Sequence, residues 1–280
     1  MLEFLIRNQD SFIVSFIFLV AGSGLGPLWA AFQRRNSNPK TIQPKQSLPE
    51  IVEQSGKVVY IPVESRTNNG RSSRNNNQDD ILPFIYGAIF LLCGLYVYWR
   101  YEILIALTSI SFFLISFFSS ASLYAYIKNQ IGGNDWIIYL TAILFTSFFT
   151  LILISSALQP EYAPDGFSSI QQVFRYYGVK GLINLLTLES IPWLLTHVMG
   201  VFFLLCIQLR MASSLVHYTS VVHIGTTGKK NGLAFQMAKL TRKYRNPYKN
   251  IFILMFMSVI SYYLINGHAY ILFNSFVGQP

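Results

Sequence analysis

An all-α, polytopic membrane protein with six transmembrane helices is the fold class this sequence predicts, and three observations predict it. Charged residues make up 12% of the chain and hydrophobic ones 52%, against roughly 25% charged in a soluble domain. Cut at its charges, the chain falls into six apolar blocks, each near the ~20 residues a helix needs to cross a bilayer. The basic residues lie almost entirely in alternate segments between those blocks, the positive-inside signature of a threaded chain. The aromatic share of 16% fits the same class, with Phe facing lipid and Tyr and Trp at the interfaces.

The first block, Ser11–Phe32, has the short apolar run and small residues of a signal peptide. Its leader carries Glu3, Arg7 and Asp10, a net negative charge where a secretory signal needs a basic one, so a first transmembrane helix is expected. Within it, Gly22 and Gly26 stand four apart, which lets a second helix approach closely, and Pro27 is a kink site. A glycine phosphate loop needs a preceding strand, and that reading is discarded. The other predicted spans are Ile81–Tyr98, Ile103–Ile127, Trp136–Leu158, Ile191–Gln208 and Ile251–Phe273. The second and third are joined by the aromatic-rich run Tyr96–Glu102. A single helix through that run would be over twice the core thickness at ~1.5 Å per residue, so a tight interfacial hairpin is predicted there.

Sidedness follows from the placement of Lys and Arg. Eight fall in Gln33–Asp80 (Arg34, Arg35, Lys40, Lys45, Lys57, Arg66, Arg71 and Arg74), one is Lys128, and seven fall in the fifth loop (Lys229, Lys230, Lys239, Arg242, Lys243, Arg245 and Lys249). The N-terminal segment and the even loops hold Arg7, Arg100, Arg175 and Lys180. Sixteen against four predicts odd loops on the cytoplasmic side and both termini on the extracytoplasmic side. The predicted organisation is therefore 1–32, an N-terminal segment and first span; 33–80, a basic and partly disordered cytoplasmic loop; 81–158, spans two to four; 159–190, an outer loop; and 191–280, spans five and six with a basic loop between them. The expected location is a bacterial inner membrane or an organellar membrane.

The polar segments differ in kind. Thr67–Gln78 is low-complexity and too polar to order itself, while Gly56–Val63 has the composition of one strand, an extended stretch of loop in the first reading and a strand added to a partner's sheet edge in the second. In the fourth loop, Pro160–Gly166 carries turn chemistry. Ser168–Leu188 then repeats apolar residues at spacings of three and four, which predicts an amphipathic interfacial helix kinked near Gly178 or Gly181. The fifth loop, Gly225–Asn250, is basic and expected to be partly helical up to Asn246-Pro247. Contact with anionic headgroups is its expected role, ahead of docking a soluble subunit. A Lys/Arg cluster also attracts phosphate backbones, but no recognition motif accompanies it and no specific nucleic acid is expected.

The candidate chemical residues are few. His197 and His268 fall at similar depths from the outer ends of the fifth and sixth spans, ~9 Å and ~8 Å at helical rise. An axial haem pair would need such an arrangement, although an interhelical hydrogen bond is the more ordinary use. At the inner end, Arg210, Ser213, Ser214, His217 and Ser220 make one polar stripe if the fifth helix continues past Gln208. Arg210 there either snorkels to headgroups or, with Ser214 and His217, lines the inner mouth of a pore. Cys93 and Cys206 lie inside apolar blocks and carry no disulfide pattern. The sequence holds no intramembrane carboxylate, no Gly-x-Ser-x-Gly, no His-Glu-x-x-His and no inverted repeat of the transporter kind.

The expected function is a non-enzymatic subunit of a membrane assembly: an anchor, scaffold or channel-type component. Its basic residues Arg34, Arg35, Lys229, Lys230, Lys239, Arg242, Lys243 and Arg245 would meet anionic lipid or a protein partner. No cofactor is expected; haem on His197 and His268, in an electron-transfer protein, is the alternative, with a secondary transporter behind it.

Overall fold

The computed structural model describes residues 9–35, 53, 91–127, 134–185, 190–227 and 232–277. Among the described residues the chain is helical, without strands. Helix α1 is Gln9–Arg35; residues 91–98 belong to α2; α3 is Arg100–Ile127 and α4 is Asn134–Leu158. After the single-turn 3₁₀ helix Phe167–Ser169 come α5 (Ile170–Leu185), α6 (Ser190–Thr227), α7 (Leu233–Leu240), a second 3₁₀ turn (Arg242–Tyr244), α8 (Pro247–Ile265) and α9 (His268–Val277). Four stretches, Arg100–Tyr124, Trp136–Leu158, Ser190–Val222 and Pro247–Ile265, are long and apolar enough to cross a membrane, the character of an integral membrane protein. The predicted strand Gly56–Val63 and the low-complexity run lie outside the described residues.

Contacts along each seam give the relative directions of the helices. Ser15 meets Ser109 across α1 and α3 at 3.4 Å. Further on, a side-chain carbon at Gly22 would sit 2.8 Å from the Phe113 carbonyl, and one at Gly26 2.9 Å from the Phe117 carbonyl. Residue numbers rise together, so α1 and α3 run parallel. The two glycines admit α3 as the four-residue spacing predicts, and α1 continues as helix past Pro27. Ser116 uses the close approach to donate to the Leu19 carbonyl at 2.6 Å.

The remaining helices alternate in sense. Arg100 reaches the Ala157 and Leu158 carbonyls, while Ser111 lies against Thr150, so α3 and α4 are antiparallel. Gln208 of α6 donates to the Leu107 carbonyl and to Ser111, both at 2.7 Å, and His197 shares a hydrogen bond with Tyr96; α6 therefore runs parallel to α3. Arg210 meets Asn250, and Gly200 packs on Ile265, which sets α8 antiparallel to α6. Lipid-like exposure accompanies this packing: Phe252, Phe256 and Val259 of α8 recur on one outward face, as a membrane span presents to acyl chains.

Three expectations need correction. The fifth helix does not stop near Gln208: α6 is 38 residues long, ~57 Å at helical rise. The sixth span does not reach Phe273 either, because Gly267 adopts φ 84° and divides it into α8 and α9. In the fourth loop, Gly178 takes φ 61°, ψ −151° inside α5 and is the kink, whereas Gly181 is packed against Val173 and Tyr177. The predicted hairpin is absent as well: the Trp99 amide donates to the Leu95 carbonyl at 3.0 Å and the Ile103 amide to the Trp99 carbonyl at 2.9 Å, so residues 91–98 run on into α3 with only a local break at Trp99. Asn246 and Pro247 do more than end the fifth loop, since Asn246 caps α8 by accepting from the Lys249 amide and Pro247 fills its first turn.

Candidate functional site

Polar chemistry collects at the two ends of the bundle. At one end the centre is Arg100, wholly buried. It donates to the Phe167 carbonyl at 3.2 Å and to the Ala157 and Leu158 carbonyls at 3.1 and 2.7 Å, and its guanidinium stands 3.9 Å over the Phe167 ring. Ala157 and Leu158 end α4, where carbonyls lack intrahelical partners and carry the negative end of the helix dipole. Arg100 supplies the missing donors, and the helix terminus supplies the counter-charge that a buried guanidinium requires.

Beside it, Gln171 of α5 clasps the break in the backbone at Trp99. Its amide donates to the Tyr98 carbonyl at 2.9 Å, and its carbonyl oxygen accepts from the Tyr101 amide at 3.2 Å. One side chain thus satisfies the last acceptor of α2 and an N-terminal donor of α3. Gln171 also donates to Glu102, and Arg175 pairs with the same carboxylate. The amphipathic helix α5 is in this way fastened to the α2–α3 junction.

His197 closes the cluster. Its Nδ1 lies 2.9 Å from the Ile265 carbonyl and its Nε2 lies 2.9 Å from the Tyr96 hydroxyl. A carbonyl only accepts, so Nδ1 carries a proton, and in the neutral ring Nε2 accepts from Tyr96. The imidazole stacks on Trp193 with centroids 5.0 Å apart and meets Phe167 edge-on. Both ring nitrogens are thereby spent on interhelical hydrogen bonds, while a haem ligand needs one of them. His268 is not in a span at all: it opens α9, 3.5 Å from Glu161 and among the rings of Tyr162, Tyr262 and Tyr263. Its predicted depth fails because Gly267 ends the helix two residues after Ile265. Among the described residues, no group of three or more His, Cys, Asp or Glu could hold a metal ion.

At the other end, Arg210 donates to Asn250 at 2.8 Å and lies 5.2 Å from the Tyr244 ring. Asn250 in turn donates to the Tyr244 carbonyl at 2.6 Å, which fastens the 3₁₀ turn to α8. The predicted stripe on α6 exists as a helical face, but it points into protein. Ser214 is buried against the Tyr139 hydroxyl, His217 lies 3.2 Å from Thr241, and Tyr218 donates to the Arg245 carbonyl. Trp136, Tyr139 and Tyr218 pack edge-to-face around them. Of the predicted basic residues, Lys239, Arg242 and Lys243 are exposed and Arg245 is half-buried. Arg34 and Arg35 close α1, and Lys229 and Lys230 lie outside the described residues.

Sequence reasoning missed Arg100, Gln171, Gln208 and Asn250 as the residues that tie elements together. Gln208 was legible, being a full amide inside an apolar block. Arg100 was placed in an interfacial girdle, and nothing in its neighbours announced the α4 carbonyls. Compared with protein-family models, with curated proteins and with solved structures, the chain matches none.

Proposed function

We propose that this protein is a non-enzymatic, six-span subunit of a membrane assembly, with the Arg100 end extracytoplasmic and the Arg210 end cytoplasmic. The observation that carries the reading is the use made of polar groups within the bundle. Arg100, His197 and Gln208 each bind a backbone carbonyl on a different element, so they hold helices together, as polar side chains in membranes commonly do. Exposed cations collect instead at the Arg210 end, where they would meet a soluble partner or anionic lipid.

The six-span count draws support from the parallel pairing of α1 and α3. Tyr96 lies at the Arg100 end, beside His197, while α1 descends alongside α3 to the opposite end. The chain between α1 and Tyr96 therefore passes from one end of the bundle to the other, and residues 91–98, in line with α3, are not the part that returns. The basic residues then mark the Arg210 end as cytoplasmic.

An impermeant thiol reagent applied from outside should label a cysteine introduced at Ala163, in the stretch before Phe167, and leave one at Asn68 unmodified. Reversed labelling would overturn the orientation. Co-purification in mild detergent followed by mass spectrometry should retain stoichiometric protein partners, and a chain recovered alone would remove the subunit reading. Purified protein should show no Soret band; a band would revive the haem alternative and require the Tyr96–His197–Ile265 contacts to rearrange.

A further inference from the structure

We infer that residues 232–249 form a built interfacial anchor that takes the headgroups of anionic phospholipids. The inference rests on the membrane-spanning reading above but not on its orientation. Helix α7 presents Leu233, Met237 and Leu240, spaced by four and three, on one exposed face; Leu240 is 79% exposed. The opposite side is fixed to protein: Ala238 is wholly buried, and Ala234 and Phe235 pack on the core. Thr241 receives His217, and Tyr244 sits beneath Arg210. The apolar stripe is therefore held outward by the fold.

Depth identifies what it faces. Helix α8 has 19 residues, ~28 Å at helical rise, which matches the ~30 Å hydrocarbon core. Its first residue, Pro247, marks one boundary of that core, and the segment just before it occupies the headgroup layer. Arg210 is level with Asn250, and α6 continues from there to Thr227, another ~26 Å. That overhang is the post on which α7 is mounted, near His217, ~10 Å past Arg210.

Charge identifies the headgroup. Lys239, Lys243 and Lys249 are exposed around the stripe, and Tyr248, 62% exposed, stands at the core boundary where aromatic belts lie. A short helix with an outward apolar stripe and a cationic rim is the pattern of an interfacial element drawn to anionic lipid. Each such lysine is worth about fivefold in affinity near an anionic surface.

The test uses the full chain with Cys93 and Cys206 replaced by Ser and an environment-sensitive fluorophore on Leu240→Cys, reconstituted in phosphatidylcholine with and without phosphatidylserine. The probe should emit as a lipid-immersed dye, and brominated phosphatidylserine should quench it several-fold more than brominated phosphatidylcholine. Adding Lys239→Gln, Lys243→Gln and Lys249→Gln should bring that ratio close to one. A probe quenched by aqueous iodide and indifferent to both lipids overturns the inference, and immersion without a charge preference overturns its anionic part. A second label on Phe256→Cys, midway along α8, separates the two readings: if it too is in water, the membrane reading fails; if it is immersed and Leu240→Cys is not, this inference alone fails.

Discussion

Two arginines, one at each end of the bundle, hold their charge in opposite ways. Arg100 is sealed from solvent, spends three hydrogen bonds on backbone carbonyls of two segments and lies flat on a phenylalanine ring. Arg210 is half-buried and bonds the Asn250 amide. The difference teaches what makes a buried guanidinium tolerable near a membrane. Arg100 meets the end of α4, where orphan carbonyls concentrate negative charge. Arg210 lies midway along α6, where the backbone is already paired, and its head finds the Asn250 side chain and the Tyr244 ring instead. One arginine organises its end of the molecule; the other decorates its end.

The strongest way to break this comparison is Arg100→Leu against Arg210→Leu. Removing Arg100 strands the Ala157, Leu158 and Phe167 carbonyls in protein, and loss of one partner from a buried charged network costs about 3–5 kcal/mol. Arg210→Leu should cost about 1 kcal/mol, the scale of one interhelical hydrogen bond in a membrane. Unfolding of the detergent-solubilised chain by denaturant titration reads both. Equal losses would mean that Arg100 is no keystone.

A next-largest effect, about 1–3 kcal/mol, is expected from Gly22→Leu, which forces a side chain against the Phe113 backbone carbonyl. It sharpens the comparison because the α1–α3 seam belongs to neither end. The same titration should show the loss, with Gly24→Leu as the control, since nothing lies within 4 Å of a side-chain carbon there. If both variants are equally stable, α1 does not pack as described.

His197→Phe comes below this. The substitution keeps a ring stacked on Trp193 and removes the hydrogen bonds to Ile265 and Tyr96. At ~0.6 kcal/mol for an average interhelical bond, about 1 kcal/mol should be lost in the same titration. A loss as large as that of Arg100→Leu would shift the organising role to the histidine.

These magnitudes also explain what was legible in the sequence. Hydropathy finds blocks, and four of the blocks are helices long and apolar enough to span, because that capacity depends on length and composition alone. It finds helix ends poorly. Asn266-Gly267 is a turn dipeptide, but it sits between apolar runs and is invisible to a length count. The polar residues after Gln208 suggested an exit from the membrane, yet Ser214 and His217 are buried by α7 and α4, packing that no local pattern encodes. Gly22 and Gly26 were readable because their function is to be small at a fixed spacing. Arg100 was not, because its acceptors lie 57, 58 and 67 residues away.

The smallest expected effect tests whether α5 is held by its surface or by its buried contacts. Arg175 pairs with Glu102 while both side chains are about half exposed, and exposed ion pairs are worth about 0–1 kcal/mol and weaken with salt. Arg175→Ala should therefore change the unfolding midpoint little, and less still at high ionic strength. Gln171→Ala should cost more, because Gln171 is buried and holds both the Tyr98 carbonyl and the Tyr101 amide, and its removal leaves the Tyr101 amide unsatisfied while the Tyr98 carbonyl keeps Arg175. Cleavage after Lys180 by added trypsin gives an independent readout of α5 attachment: faster in Gln171→Ala, nearly unchanged in Arg175→Ala. The reverse order would place the fastening of α5 on its exposed rim, and the contrast between a sealed end and an open one would then hold for Arg100 but not for the helix beside it.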